Sequence, residues 1–131
     1  GLLRASLPGD AAVATSAEVL PEYREHERFS TTALNVAVAP RMRRYLSGLR
    51  RRLEEIGAGA ELAIMTSGGG TLPAQRIEAL PVLSMLSGPA AGVIAARFVG
   101  AACGVANLIT CDMGGTSTDV AVIRDGGFGM T

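Results

Sequence analysis

Residues 111–120 read CDMGGTSTDV and directly follow the apolar stretch NLIT. These ten residues include two adjacent glycines, three hydroxyl side chains and two carboxylates. Adjacent glycines let a backbone turn tightly and bring its N–H groups close to an anion, as in a phosphate-binding nest. A carboxylate at the tip of a strand can hold hydrated Mg²⁺ or orient a water molecule. The stretch is therefore a candidate nucleotide-binding loop at the end of a buried strand.

Each side chain of this loop has a candidate role. Asp112 is the candidate catalytic carboxylate and the candidate Mg²⁺ ligand, acting through a water molecule. Asp119 is a second carboxylate that can instead brace the turn. The candidate cofactor-binding residues are Gly114, Gly115, Thr116, Ser117, Thr118 and Asp119. A plain hairpin is the alternative, with glycines at positive φ and aspartates that cap its amides. Spacing alone does not separate the two, and the whole combination after a buried strand favours nucleotide binding.

Hydrophobic patterning predicts helices in the first half of the chain. The run STTALNVAV (30–38) predicts a helix that Pro40 interrupts. A second, amphipathic helix is expected over residues 41–56, ended by Gly57 and Gly59. Its buried stripe recurs at three- and four-residue steps and consists of Met42, Tyr45, Leu46, Leu49, Leu53 and Ile56. The charged run EYREHERF before these helices fits either a helix or a solvated connector.

The second half mixes strands, turns and a further helix. Ser87 or Gly88 is the expected N-cap of that helix, with Pro89 in its first turn and an end near residue 99. This helix start either faces an anion or only packs tightly. The glycine-rich turn at 66–71 is either a ligand-binding edge or a plain turn. The other expected elements are a short helix at 74–80 and strands at 61–65, 81–86, 107–111, 118–124 and 128–131.

Composition excludes several classes of site. Charges balance at 12 basic and 12 acidic residues and aromatic residues make up only 4% of the chain, so a nucleic-acid interface is not expected. No lysine is present, which excludes a Walker-A loop, a pyridoxal Schiff base and a lysine general base within these residues. The apolar stretch 88–106 contains Arg97 and mostly small side chains, so a membrane span is not expected either.

The residues that most often bind metals or act as nucleophiles are few. Cys103 and Cys111 form no C-x-x-C pair, which indicates small buried residues in a reducing cytoplasm. His26 has no second histidine or cysteine at ligand spacing, so a solvated or packed histidine is expected. The sequence assigns no role to these three residues.

Three blocks of this sequence carry a family resemblance. They are ERFSTTALNVAVAPRMRRYLSGLRRRL (27–53), MLSGPAAGVIAA (85–96) and DMGGTSTDVAVI (112–123). In this order they resemble the central region of the hydantoinase A / 5-oxoprolinase family, which also includes an acetone carboxylase subunit. The resemblance implies an α/β fragment of an actin-like (ribonuclease H-like), two-lobed ATPase fold, in which ATP binds between two phosphate loops.

The resemblance also implies how the chain divides. Residues 1–105 would form the C-terminal part of the first lobe, and residues 106–131 the opening β-hairpins of the second lobe with its phosphate loop. Only Asp112 heads a D-x-G-G-T motif here, so half a nucleotide site is expected and the isolated fragment would be inactive. Family members tend to read Ser-Asn-Gly-Gly where this chain has SGGG (67–70), which removes a side chain from that turn.

The activity that the resemblance implies is ATP-dependent opening of a cyclic amide, with ATP and Mg²⁺ as cofactors. Its expected partners are a small cyclic-amide substrate, the remainder of the same polypeptide and further subunits of a homo- or hetero-oligomer in the cytoplasm. The alternatives are an ATP-dependent carboxylase subunit and a non-catalytic nucleotide-binding or partner module. The residues do not specify the substrate or the oligomeric state.

Overall fold

A computed structural model describes residues 2–9, 11–59 and 61–128, and these residues form a mixed α/β structure. The chain separates into two compact units. The first contains Gly1–Ile64 and Leu72–Met85, and the second contains Met65–Thr71 and Leu86–Thr131. The expected lobe boundary near residue 106 concerns the complete two-lobed fold and stays a prediction.

A long helix dominates the first unit. Two short helices, α1 (Leu2–Ser6) and α2 (Ser16–Val19), precede α3 (Glu25–Glu55). The predicted interruption at Pro40 is wrong, because Pro40 lies inside α3. Proline removes one helical hydrogen bond, and buried residues of α3 on both sides of it offset that loss by packing against α2, α4 and the 3₁₀ helix described below.

The predicted stripe of α3 is confirmed at its centre and wrong at two positions. Leu46 is fully buried, whereas Tyr45 is 63% exposed and Ile56 is 76% exposed. Tyr45 lies one residue from Leu46, and a step of about 100° turns it toward the edge of the stripe. Ile56 follows the last helical residue.

The predicted end of α3 is confirmed, since Gly57 has φ +73 and the Ala58 N–H donates to the Leu53 carbonyl over 2.8 Å.

The core of the first unit forms where α3 meets a small hairpin and its following helix. The hairpin pairs β1 (Ala63–Met65) with β2 (Thr71–Pro73), and α4 (Ala74–Ala79) follows directly. Leu46, Ala74 and Ile77 are buried together. The side chains packed around them are Met42, Leu62, Ile64, Leu72 and Leu83.

The strand expected at 81–86 is wrong, because Pro81–Ser84 form a 3₁₀ helix. Pro81 has no N–H for a strand ladder and is favoured in a first helical turn. The N–H of Val82 donates instead to Oδ1 of the buried Asn35 over 3.2 Å. A side chain 47 residues away therefore accepts a hydrogen bond from this segment.

Asn35→Ala tests this contact. The change leaves the Val82 N–H without its acceptor, and we expect the free energy of unfolding to fall by about 1–2 kcal/mol. Urea denaturation followed by circular dichroism measures the loss. Ala37→Ser, at an exposed position two residues further along the same helix, serves as the control and should change stability by less than about 0.5 kcal/mol. An equal loss in both variants would show that the Val82 contact contributes nothing.

Among its described residues, the second unit contains one helix, one hairpin and the glycine-rich turn at 66–71. Helix α5 (Ser87–Ala102) packs against β3 (Leu108–Met113) and β4 (Thr118–Ile123), which are antiparallel and pair Leu108 with Ile123. The strands predicted at 107–111 and 118–124 are confirmed. Within the described ranges, no helix is long and apolar enough to cross a membrane. The expected final strand at 128–131 falls largely outside the described residues.

The start of α5 differs from the expected capping. Its N-cap is Leu86, at φ +59, and no side chain caps the helix there. Ser87 and Gly88 are instead the first two helical residues, and Pro89 lies in the first turn as predicted. The left-handed Leu86 directs the chain into the helix, so neither predicted residue acts as the cap.

Candidate functional site

The candidate loop closes the hairpin between β3 and β4. The Gly114 N–H donates to the Ser117 carbonyl over 2.9 Å, which closes the turn. Asp112 lies directly opposite Asp119 in the strand register. Side chains at directly opposite positions of an antiparallel pair point to the same face with their Cβ atoms about 5 Å apart. The hairpin therefore brings the two predicted carboxylates together.

The opposed carboxylates are electrostatically unfavourable by themselves. Like charges directly across an antiparallel pair destabilise it. Within the described part of the chain, no arginine forms an ion pair with Asp112 or Asp119. The Ser117 hydroxyl donates to Oδ2 of Asp119 over a long 3.5 Å. A cation bound between the carboxylates would remove this repulsion, and two carboxylates match the number that Mg²⁺ takes alongside phosphates and water.

The two loop glycines are not required by the turn. Neither Gly114 nor Gly115 has positive φ, so the left-handed glycines expected for the plain hairpin are wrong, while the choice between a plain hairpin and a nucleotide-binding loop stays a prediction. A Cβ added at Gly114 would lie 3.7 Å from the Ser117 carbonyl oxygen, which is ordinary contact, and one at Gly115 would meet nothing within 4 Å. Alanine would fit at both positions. Glycine here leaves the backbone bare on a loop that stays exposed.

The expectation of a buried strand before the loop is wrong. Ile109 is 75% exposed, Met113 is 75% exposed, and all residues from 111 to 120 are exposed. The hairpin has only two strands, and α5 is the one helix among the described residues of this unit that packs on them. One helix leaves much of a two-stranded ribbon open to solvent.

A groove of about 780 Å³ runs between α5 and the hairpin, within the range of small-molecule sites. Asp112 and Asp119 are the only charged residues among the described ones that line it. Its other walls are apolar or small side chains, among them Val93, Val99 and Ile109. The turn residues 113–118 do not line the groove. The two carboxylates therefore lie at an apolar groove, whereas the backbone of the two loop glycines is outside it.

The second candidate edge, the glycine-rich turn, belongs to the same unit. Ser67, Gly68 and Gly69 line a separate groove of about 450 Å³ with residues of α5 and β4. Gly69 has φ +85, and a Cβ there would lie 2.7 Å from Cδ1 of Ile94. Glycine at this position is therefore needed for conformation and for packing, unlike Gly114 and Gly115.

The predictions for histidine and cysteine differ in outcome. His26 is exposed, as expected for a solvated residue. The expected burial of Cys103 and Cys111 is wrong, because both border the open groove beside α5 and are exposed. Among the described residues, no group of three or more histidine, cysteine or acidic side chains is placed to hold a metal ion.

Comparison with known proteins gives the family. The Hydantoinase/oxoprolinase family model matches residues 28–131. The chain belongs to the hydantoinase/oxoprolinase family. It is 38% identical to the caprolactamase subunit alpha of Pseudomonas jessenii over 125 residues, which are 95% of this chain and 18% of that protein. It is 33% identical to the 5-oxoprolinase of Saccharomyces cerevisiae over 122 residues, which are 90% of this chain and 9% of that protein.

Acetone carboxylase is similar to this hydantoinase/oxoprolinase chain at about the same sequence identity. The acetone carboxylase beta subunit of Xanthobacter autotrophicus is 35% identical over 114 residues, covering 87% of this chain and 16% of that protein. A nucleotide-free structure of acetone carboxylase, solved to study ATP-dependent acetone carboxylation, matches with a TM-score of 0.76 and 35% identity over 85% of this chain and 15% of that one. The chain thus spans less than a fifth of the length of these relatives.

The pairing of Asp119 with Asp112 on this hydantoinase/oxoprolinase hairpin is not among the predictions from the sequence. The sequence suggests Asp119 as a cofactor-binding residue or as a support for the turn, and the register places it as the direct partner of Asp112. The signal is present in the spacing, because a hairpin that turns at Gly115 and Thr116 pairs residues equally distant from that turn. The two carboxylates are therefore best considered as one pair.

Proposed function

We propose that this chain supplies one phosphate-binding loop of an ATP-dependent enzyme that opens a cyclic amide. The observation that carries the proposal is the pairing of Asp112 with Asp119 on a hairpin whose turn has glycines that its own conformation does not need. The similarity to caprolactamase subunit alpha and to 5-oxoprolinase supports the substrate class. An actin-like, two-lobed ATPase fold, with residues 106–131 opening the second lobe, is part of the proposal.

The phosphate groups would lie at the tip of the turn rather than in the apolar groove. The Gly114 N–H already donates to Ser117, whereas no hydrogen bond of the Gly115 or Thr116 N–H occurs within the described part of the chain. The Thr116 hydroxyl adds a donor on the same exposed turn, and the Ser117 hydroxyl would add another by leaving its long 3.5 Å bond to Asp119. Without side chains on the glycines, phosphate oxygens can approach the backbone closely. Thr118 and Asp119 begin β4 and hold the turn in register with Met113 and Asp112.

The carboxylate pair fits a bound Mg²⁺. Asp112 would hold the ion through a water molecule, and the carboxylate of Asp119 would add a second negative charge beside it. Bound there, Mg²⁺ would supply charge neutralisation for the phosphates. In the proposal, the residues of this chain bind and orient the phosphoryl group and stabilise the negative charge on its oxygens. Positioning and charge stabilisation are most of what an enzyme contributes to phosphoryl transfer.

The proposed reaction couples ATP cleavage to amide hydrolysis. The ring carbonyl oxygen attacks the γ-phosphorus, and the bond between that phosphorus and ADP breaks. Water then adds to the activated carbon, and the ring C–N bond breaks as the nitrogen takes up a proton, which leaves an acyl phosphate. A second water hydrolyses the acyl phosphate, so that inorganic phosphate leaves and the product is an amino acid. We further propose that the full-length protein is one subunit of a larger enzyme, as the names of the caprolactamase and acetone carboxylase relatives state for those proteins.

A second candidate function is an ATP-dependent carboxylase subunit. The acetone carboxylase beta subunit is 35% identical, between the 38% and 33% of the two amide-opening relatives, so identity does not separate the chemistries. In that case, the same loop would position ATP for phosphorylation of a ketone or of bicarbonate. A third candidate, a nucleotide-binding module without turnover, would use the loop as a switch.

ADP release by the full-length enzyme separates these functions. We expect hydantoin, 5-oxoproline or caprolactam to raise the rate of ADP release at least about tenfold, with one ring-opened product per ADP. Stimulation only by acetone with bicarbonate would establish the carboxylase. ATP binding without turnover on any of these compounds would leave only the nucleotide-binding module.

A further inference from the structure

Leu86, the N-cap of α5, has a strained backbone. Its φ is +59 and its ψ is +19, which is the left-handed conformation. Leucine avoids this conformation because its Cβ crowds the following carbonyl oxygen, whereas glycine adopts it readily. Leu86 and Asp125 are the two non-glycine residues with positive φ in the part of the chain that the structure describes. Leucine is therefore a less stable residue at this position than glycine would be.

The contacts of Leu86 do little to offset this strain. Its side chain is 78% exposed, so it buries little apolar area. Its carbonyl accepts from the Ala90 N–H over a long 3.5 Å, and within the described ranges its own N–H forms no hydrogen bond. The left-handed conformation is therefore imposed by the elements on either side of Leu86. Strained residues of this kind are concentrated at functional and switch regions of proteins.

Asp125 has positive φ for a local reason that Leu86 lacks. Aspartate tolerates the left-handed conformation better than leucine does. Asp125 and Gly126, at φ +51 and +70, form a tight turn in which Arg124 and Gly127 exchange two backbone hydrogen bonds of 2.8 Å. Such a turn requires positive φ at both central residues. No pair of hydrogen bonds fixes Leu86 in this way among the described residues.

An unstrained conformation is available to Leu86 without loss of α5. N-cap residues ordinarily have an extended backbone. Thr15 and Arg24, the N-caps of α2 and α3, have φ −98 and −84 with ψ 148 and 98. Leu86 in this extended conformation would still begin α5, but the chain would enter the helix in a different direction. Because α5 packs against β3 and β4, the hairpin and its loop would move with the helix.

We propose that Leu86 is a strained hinge that favours release of the nucleotide. This inference rests on the proposed function, in which the loop of the hairpin binds the phosphates of ATP. Left-handed Leu86 places α5 and the loop for Mg²⁺·ATP, and the binding energy of ATP holds the strained state. Loss of the γ-phosphate removes part of that binding energy. Leu86 then returns to the extended conformation, and ADP leaves.

A purely architectural role explains Leu86 less well. A connection that only needed a left-handed residue would be more stable with glycine. Glycine does occur in the same segment, two residues later at Gly88, but φ is not positive there. The strain therefore lies on a leucine although a glycine is close by in the sequence.

Three substitutions of Leu86 in the full-length protein test the hinge. Glycine and asparagine adopt positive φ more readily than leucine, and β-branched valine adopts it less readily. We expect Leu86→Gly to bind Mg²⁺·ATP about fivefold more tightly and to release ADP about fivefold more slowly, which corresponds to about 1 kcal/mol. Leu86→Asn should change both quantities in the same direction by less, and Leu86→Val in the opposite direction. Calorimetry measures the affinity, and stopped-flow displacement of a fluorescent ADP analogue measures the release rate.

Asp125→Gly is the matched control, because it places glycine at the other left-handed residue, whose turn is fixed by two hydrogen bonds. We expect wild-type affinity and wild-type ADP release. A higher melting temperature of Leu86→Gly with unchanged affinity and release rate would overturn the hinge and leave the nucleotide site standing. So would affinities that do not decrease in the order glycine, asparagine, leucine, valine. Wild-type protein that does not bind Mg²⁺·ATP would overturn both the hinge and the proposed function.

Discussion

Asp112→Asn in the full-length protein is expected to weaken binding of Mg²⁺·ATP by about 100-fold or more, without lowering thermal stability. Asp112 faces Asp119 across the hairpin, so asparagine removes one of two opposed like charges. The hairpin should therefore be at least as stable as before, while the charge that attracts Mg²⁺ is halved. Isothermal titration calorimetry measures the affinity, and a thermal melt of the same sample measures the stability.

Asp125→Asn is the matched control for this experiment. It makes the same chemical change at the turn after β4, where Asp125 has φ +51, a conformation that asparagine also adopts. Its backbone N–H donates to Oδ1 of Asn107 over 3.1 Å, and this bond survives the change. We expect wild-type affinity. If Asp112→Asn also binds Mg²⁺·ATP like the wild type, the loop is only a hairpin, and the enzyme proposal fails with it.

The features predicted correctly from the sequence depend on neighbouring residues. The strands beside CDMGGTSTDV, the end of α3 at Gly57 and the turn at 66–70 follow from local alternation and glycine chemistry. The family resemblance, confirmed by the family match over residues 28–131, depends on three local blocks read in order. The roles assigned to Asp112 and to the loop residues stay predictions.

The features predicted wrongly depend on residues far apart in the chain. Pro40 does not end α3, because packing along one face holds both halves of the helix together. The 3₁₀ helix at Pro81 contacts Asn35, whose Oδ1 accepts from the Val82 N–H across 47 residues of sequence. The exposure of β3 has a different reason, because an apolar strand pattern predicts burial but does not say what covers the strand. Such information lies in tertiary contacts rather than in any short window of sequence.

Gly100→Ala is expected to destabilise the second unit by about 3 kcal/mol, since overfilling a packed site forces side chains and backbone apart. Gly100 is buried where α5 crosses the hairpin. A Cβ there would lie 2.5 Å from Cδ1 of Leu108 and 2.9 Å from the backbone carbonyl oxygen of Val105. Leu108 can change rotamer, but the Val105 carbonyl is fixed because the Val105 N–H donates to the Gly100 carbonyl over 2.8 Å. Urea denaturation gives the free energy of unfolding.

Gly92→Ala, in the same helix, should have the opposite sign. A Cβ at Gly92 meets nothing within 4 Å, so alanine adds only its better helix propensity and should stabilise the unit by about 0.5–1 kcal/mol. Helix propensity alone would make both substitutions stabilising, and the contact with Val105 is what reverses the sign at Gly100. Two stabilising alanines would therefore show that neither the Val105 carbonyl nor the Leu108 side chain lies this close to Gly100. The groove that contains Asp112 and Asp119 would then lose its wall, because Val99 and Gly100 line it.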